Sequence, residues 1–375
     1  MAEDSTARIT EHFSGLDDPR RYNRRHKLID IIVIAVSAVI CGADDWPAVE
    51  EYGKAKQEWF ERFLDLPHGI PTHDTFRRVF AALDAEQFQS HFMEWIKAVY
   101  QVTEGQVVPI DGKQLRRSHD RSAGKKAIHM VSAWAAKNSL VLGQVKVDDK
   151  SNEITAIPQL LDLLEITGCI VTIDAMGCQK TITHKIIARG ADYVLALKGN
   201  QSGLHDDVIE LFAYASEIEF VDCDYCKTVE KNHGRIEIRE CWTTSNAEYM
   251  AYLRDQSAWA NLYTIVMVKR ERRLGTKTET EIQYYITSLV SSARQVLSAI
   301  RAHWSIENQL HWVLDIAFRE DESRLRKGNG AQNFGLLRHI ALNLLKQEST
   351  CKRGIKTKRL KAGWDMDYLA KVLVG

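Results

Sequence analysis

The sequence lacks a long apolar run. Its longest nearly uninterrupted stretch, from Ile31 to Cys41, is 11 residues and contains Ser37, where a membrane span needs about 20. It also lacks an excess of charge. Fifty basic side chains face 50 acidic ones, so nucleic-acid binding cannot be argued from net charge and must come from local clusters. Six prolines and 21 glycines in 375 residues leave little material for a flexible linker. The seven cysteines are odd in number and irregularly placed between Cys41 and Cys351, which suits a reducing compartment better than a disulfide framework. The opening MAEDSTARITEHF is polar and carries acids, unlike a secretory signal. These absences predict a soluble, cytoplasmic protein with no membrane contact. The length predicts two or three domains.

What is present has a clear order. The first hundred residues read as helical. Residues 28–41 are almost continuously apolar, as in a buried helix, and Gly42 stops them. Residues 46–66 and 74–100 carry apolar side chains at helical spacing, separated by Pro67, Gly69 and Pro71. The texture changes at Val107. VVPID reads as a strand ending at Asp111, followed by strands over 128–135 and 140–147. Helices are predicted over 156–164 (with Pro158 in the first turn), 179–189 and 202–214, alternating with strands over 169–174 and 193–197. That order describes a mixed α/β layer fold. Residues 217–290 are β-rich and read as an insertion before helices resume over 293–319 and 330–346. The expected division is a helical unit over 1–103, an α/β unit over 104–216 and 291–348, the β-rich insertion, and a basic tail over 349–375.

Two predicted strands end in an acid followed by a small residue, Asp111-Gly112 and Asp174-Ala175. A carboxylate at a strand's carboxyl end faces the rim of the sheet, where α/β folds place ligands. Either aspartate alone reads equally as a turn or a helix cap. A third acid, Glu307, lies in AHWSIENQLHWVLDIAFRED. On a helix it shares a face with His303, Trp304, Leu310 and His311, which predicts partial burial. A buried, unpaired carboxylate needs a cation, and Mg²⁺ is held by carboxylates together with substrate phosphate oxygens.

With these residues in view, the chain resembles the DDE-type insertion-sequence transposases, and within them the H-repeat-associated group. The resemblance rests on RHKLIDIIVIAVSAVICGADDW (25–46), GIPTHDTFRRVF (69–80), IDGKQLRRSHD (110–120) and KSNEITAIPQLL (150–161). It continues in TIDAMGCQK (172–180), LKGNQ (197–201), HGRIEIR (233–239) and HWSIENQLHWVLDIAFRED (303–321). The segments span nearly the whole chain. The resemblance implies a ribonuclease H-like catalytic domain and a triad of Asp111, Asp174 and Glu307 holding two Mg²⁺ ions, with Mn²⁺ able to substitute. It further implies end cleavage and strand transfer on double-stranded DNA (terminal inverted repeats and target), by a homodimer associated with the nucleoid when bound. In the wider family's pattern Tyr-x2-Arg-x3-Glu-x6-Lys, this chain has Ile300, His303, Glu307 and Leu314, so both cationic positions differ. A repeat-binding protein without catalysis and a nuclease without strand transfer are the alternatives.

Expected DNA contacts begin just after Asp111. Lys113, Arg116, Arg117, Arg121, Lys125 and Lys126 form a run that reads either as a phosphate track or as a solvated loop. Lys198, His233, Arg235 and Arg239 are further candidates, against a plain loop at Gly199 and a hairpin turn at Gly234. The resemblance assigns His303 and Trp304 to DNA contact, with core packing as the other reading for His303. Arg77 and Arg78 sit in a helical pair that weakly suggests a helix-turn-helix.

Overall fold

The computed structural model describes residues 9–22, 24–99, 103–119, 126–147, 152–232, 234–290 and 292–374. Four main helices come first: α1 (Leu28–Ile40), α2 (Trp46–Ala55), α3 (His73–Ala82) and α4 (Ala85–Val99). Helix α1 is buried along almost its whole length and ends where Gly42 takes φ +114°, a conformation that glycine adopts without steric cost. Asp45 caps α2 by accepting from the Ala48 N–H at 2.9 Å.

Among the described residues, the strands form one nine-stranded sheet. In chain order they are β1 (Val107–Gln114), β2 (His129–Ala135), β3 (Leu140–Lys146), β4 (Ile170–Ile173), β5 (Asp192–Leu197), β6 (Asp224–Asn232), β7 (Arg235–Thr244), β8 (Thr264–Leu274) and β9 (Lys277–Thr287). Their spatial order is β3-β2-β1-β4-β5-β9-β8-β7-β6. Strands β1, β4 and β5 are parallel, and all other pairings are antiparallel. Helices α5 (Glu153–Leu163) and α6 (Lys180–Ala188) connect the parallel strands, and α7 (Ser202–Glu217) follows β5. The β-rich segment is therefore an extension of the same sheet, joined to it through β9 against β5. The β6–β7 turn has Gly234 at φ +75°; His233 lies outside the described residues.

After the sheet come α8 (Ala293–His303), a π-helical segment (Glu307–His311), α9 (Trp312–Phe318), α10 (Gly330–Gln347), α11 (Ile355–Trp364) and α12 (Met366–Val374). One hydrophobic core runs from Ile9 to Leu373, joining the N-terminal helices, one face of the sheet and the C-terminal helices. A smaller core on the other side holds α8 against β5–β9 residues such as Val194, Val266 and Tyr285. Buried Asn343 on α10 both donates to and accepts from the backbone of Val141, each at 2.9 Å, so the edge strand β3 is tied to α10 rather than left open.

Four sequence expectations differ from this structure. Strand β1 does not end at Asp111 but continues to Gln114, because β2 keeps pairing with it after β4 has stopped at Ile173. Helix α5 starts three residues early, since Asn152 caps it by accepting from the Ile154 N–H, which leaves Pro158 inside the helix. The long helix expected over 293–319 is broken by the π-helical segment. Finally, the expected basic tail contains α11 and α12, both packed on the core.

Candidate active site

The register Ile110↔Ile173 between parallel β1 and β4 puts Asp111 and Asp174 side by side at the carboxyl end of β4. Asp174 accepts from the backbone N–H groups of Met176 at 3.1 Å and Gly177 at 3.3 Å, which fixes its carboxylate in the turn after the strand. Glu307 arrives from the far wall, on the first residue of the π-helical segment. All three acids line one cleft of about 410 Å³, together with Lys198, His205, Tyr284, His303 and Trp304. Glu307 is exposed, not partly buried as its helical neighbours predict. The π-helical turn alters the side-chain spacing that the i±3 and i±4 argument assumes.

Asp111 is the electrostatic centre. Burial, then the nearby carboxylates of Asp174, Glu153 and Glu307, push its pKa up to about 7, with the Gly112 N–H pulling the other way. His311 Nδ1 lies 3.4 Å from Asp111 Oδ2. Burial and the Lys113 ammonium lower the His311 pKa to about 4, so at neutral pH the imidazole is uncharged and does not neutralise the aspartate. His303 is pinned differently, with Nδ1 3.1 Å from the Thr172 hydroxyl.

Glu153 and its partner His129 are site residues that sequence reasoning missed. His129 Nε2 lies 2.7 Å from Glu153 Oε1, and burial raises the Glu153 pKa against the pull of His129. A Cβ on Gly112 would sit 2.1 Å from Glu153 Oε1 and 2.6 Å from His129 Nε2. Glycine directly after Asp111 therefore leaves room for this pair. The available signal was Asn152 followed by an acid, which marks a helix start; placing that start at residue 156 hid it.

The expected DNA contacts separate into groups. Arg116, Arg117, Lys126 and Lys198 are exposed, with Arg116 3.1 Å from Asp321. Arg121 and Lys125 lie outside the described residues. Trp304 is 45% exposed and edge-on to His303. Lys113 does not line the cleft; its side chain is 13% exposed and paired with Asp315 and Glu320. Arg235 and Arg239 line a second groove of about 400 Å³ that also contains Arg270 and Arg301. This groove shares Gln283, Tyr285, Ile300 and Trp304 with the acidic cleft. Glu237 is buried among three of its arginines, and Glu230 pairs with Arg239 and Arg301. Four guanidiniums against two carboxylates leave the groove basic.

Two family profiles match this chain. One, described as DDE_Tnp_1-associated, covers residues 10–96, and the other, described as Transposase DDE domain, covers residues 98–344. The chain belongs to the DDE transposase family. It is 39% identical to the "H repeat-associated putative transposase YhhI" of Escherichia coli (strain K12), over 98% of each chain. It is 40% identical to "Putative transposase YncI" of Escherichia coli O157:H7, over 97% of this chain and 94% of that one. Among solved structures, a piggyBac transposase synaptic complex with hairpin DNA aligns with TM-score 0.41 and 9% identity, over 98% of this chain and 77% of that one. Among the described residues, no helix is long and apolar enough to cross a membrane.

The acids also bear on whether a divalent cation suits the cleft. The donor set is all carboxylate oxygen, the chemistry hard cations prefer. Burial first, and then the anionic neighbours Asp174, Glu153 and Glu307, raise the pKa of Asp111, and a cation there would relieve both effects. Among the described residues, no three His, Cys, Asp or Glu side chains are close enough together to hold an ion. The fit is therefore that of a site using one or two protein carboxylates, with substrate phosphate and water as the remaining ligands.

Proposed function

We propose that this transposase hydrolyses a phosphodiester at the ends of an insertion sequence and joins the freed 3′-OH to target DNA, with Asp111, Asp174 and Glu307 as its catalytic acids. The observation that carries this reading is the convergence of the three acids on one cleft whose wall is shared with an arginine-lined groove. Asp111 and Asp174 would hold a divalent cation, Mg²⁺ with Mn²⁺ as substitute, and Glu307 would approach it from the opposite wall. Such a cation supplies positive charge to the attacking and leaving oxygens of an in-line displacement.

The rest of the work falls to the chain itself. Asp174 is held by two backbone N–H groups, and the neutral His311 ring packs beside Asp111. Arg235, Arg239, Arg270 and Arg301 would neutralise phosphates flanking the reacting bond. Lys198 and Trp304, both at the cleft, would contact the strand nearest the acids. Strand order β3-β2-β1-β4-β5 supports a ribonuclease H-like core, extended by β6–β9 as the β-rich insertion, with the N-terminal helices as the DNA-end-binding unit. Two ends processed together would call for a homodimer.

The test is a nicking assay on linear DNA carrying the element's own inverted-repeat end, in Mg²⁺ or Mn²⁺. Wild type is expected to nick at the end. Asp111→Asn, Asp174→Asn and Glu307→Gln are each expected to lose about 100-fold or more, the scale of removing one electrostatic stabiliser of a transition state, while keeping end binding. Nicking without joining to a supercoiled target would leave a nuclease. Binding by wild type without any nicking would leave a repeat-binding protein.

A further inference from the structure

We infer that Lys113 is a positioning residue that clamps the strand carrying Asp111 to the helical turn carrying Glu307, and so sets the separation of the two walls of the acidic cleft. The inference rests on the transposase reading only for its activity readout. Lys113 follows Asp111 by two residues in β1, so both side chains leave the same face of the sheet. The π-helical segment and α9 cover that face with two residues four apart. His311 lies 3.4 Å from Asp111, and Asp315 lies 2.5 Å from Lys113 Nζ. Strand and helix thus meet in two successive pairs, one at the catalytic acid and one at the lysine.

The ammonium has no donor to spare. It donates to Asp315 Oδ1, to Glu320 Oε2 at 2.8 Å, and reaches the carbonyl of His311 at 3.4 Å. An ammonium has three N–H donors, and three acceptors surround it. The His311 carbonyl closes the π-helical segment, so one contact acts directly on the turn that bears Glu307. Glu320 is brought underneath by Arg319, whose φ of +50° turns the chain at the end of α9. Glu320 is only 4% exposed and faces Arg338 of α10 at 3.7 Å. The Arg338 guanidinium lies over the Phe334 ring at 4.6 Å. Two cations and two anions are thus closed on each other between β1, α9 and α10.

A phosphate contact and a clamp respond differently to arginine. Arginine serves a phosphate at least as well as lysine, but its planar fork does not reproduce a compact ammonium fitted between three acceptors. The experiment compares wild type, Lys113→Arg and Asp315→Asn for end binding across salt concentrations, for nicking rate, and for hydrogen exchange of residues 304–318. Removing Lys113 outright risks unfolding, because buried Glu320 and half-buried Asp315 lose their shared ammonium and Glu320 keeps only Arg338 at 3.7 Å; these two variants avoid that. The clamp predicts at least a 10-fold loss of nicking at saturating DNA in both variants, with affinity within about 2-fold of wild type and the salt slope unchanged. It also predicts faster exchange over 304–318 while α1 stays protected. Full activity in Lys113→Arg would overturn the inference. So would a weaker salt slope in that variant, or unchanged exchange over 304–318 in both variants. The exchange measurement needs no cleavage, so it decides the clamp even if wild type proves unable to nick.

Discussion

At the scale of single residues, Asp111 and Gly112 set the terms of the site. Asp111 has its pKa pushed up to about 7 by burial and by the acids around it, against about 3.9 in an unfolded chain. An acid raised in this way contributes stability that is fully present below pH 4 and is lost as pH rises through 7. Asp111→Asn removes that loss. The variant is expected to be more stable than wild type at pH 8 by about 2–4 kcal/mol, with the gain vanishing towards pH 4. Thermal melts at the two pH values check this. Mn²⁺ should raise the melting temperature of wild type and not that of the variant. Gly112→Ala drives a methyl group into Glu153 and His129, and overpacking of this kind costs about 1–3 kcal/mol. Urea unfolding would measure the cost. An unchanged midpoint would mean that Glu153 moves aside freely.

At the scale of elements, the π-helical segment stands out. Such segments are helices carrying one extra residue and recur at functional sites. Here the segment begins at Glu307 and ends at His311, so it lies between the third acid and the ring beside Asp111. Deleting Asn308, which is exposed, should restore a regular helix and rotate Glu307 relative to His311 by about 100°. The expected product is folded, with a loss of about 1–3 kcal/mol by circular-dichroism melting, and inactive in nicking. Retained nicking would show that the position of Glu307 does not depend on the extra residue. Nothing in the local spacing marks this irregularity. AHWSIENQLHWVLDIAF contains no proline or glycine, and its apolar spacing reads as an unbroken helix. In the structure His311, which ends the segment, meets Lys113 through its carbonyl and Asp111 through its ring, contacts that helical spacing cannot report.

At the scale of the whole molecule, the C-terminal helices and the arginine groove make the clearest claims. Arg359 of α11 donates to the carbonyls of Val39 in α1 and Ala317 in α9, and its guanidinium lies 4.2 Å from the Phe318 ring centre. Leu369, Val372 and Leu373 of α12 are fully buried. At roughly 1.5–3 kcal/mol each, these three side chains alone contribute on the order of a whole domain's net stability, about 5–15 kcal/mol. Truncation after Glu348 is therefore expected to yield insoluble protein, and a soluble, cooperatively melting fragment would contradict this packing. The groove supports a different measurement. Because net charge is zero, salt-dependent DNA binding must come from local cations. Arg235→Ala and Arg301→Ala should each reduce the slope of log affinity against log salt by about 0.9.

The sequence by itself determined the local and periodic features. Short apolar runs and the β-rich texture of 217–290 set the strands, the continuous apolar run at 28–41 set the buried helix, and glycines marked its end and the β6–β7 turn. Two acids on apolar strands were legible because a strand fixes the direction of its side chains over a few residues, although β1 runs on past Asp111 to Gln114. What sequence spacing could not give is how distant segments meet. Lys113 sits in a basic run beside an acid, yet its partners lie about 200 residues away at Asp315 and Glu320, and burial decided that it faces them. The same holds for Glu153, brought over Gly112 by a helix cap, and for Arg270 and Arg301, ordinary surface arginines in the sequence that share one groove once β8 and α8 pack. Local physics wrote the elements; only the common core determined which charges are buried together.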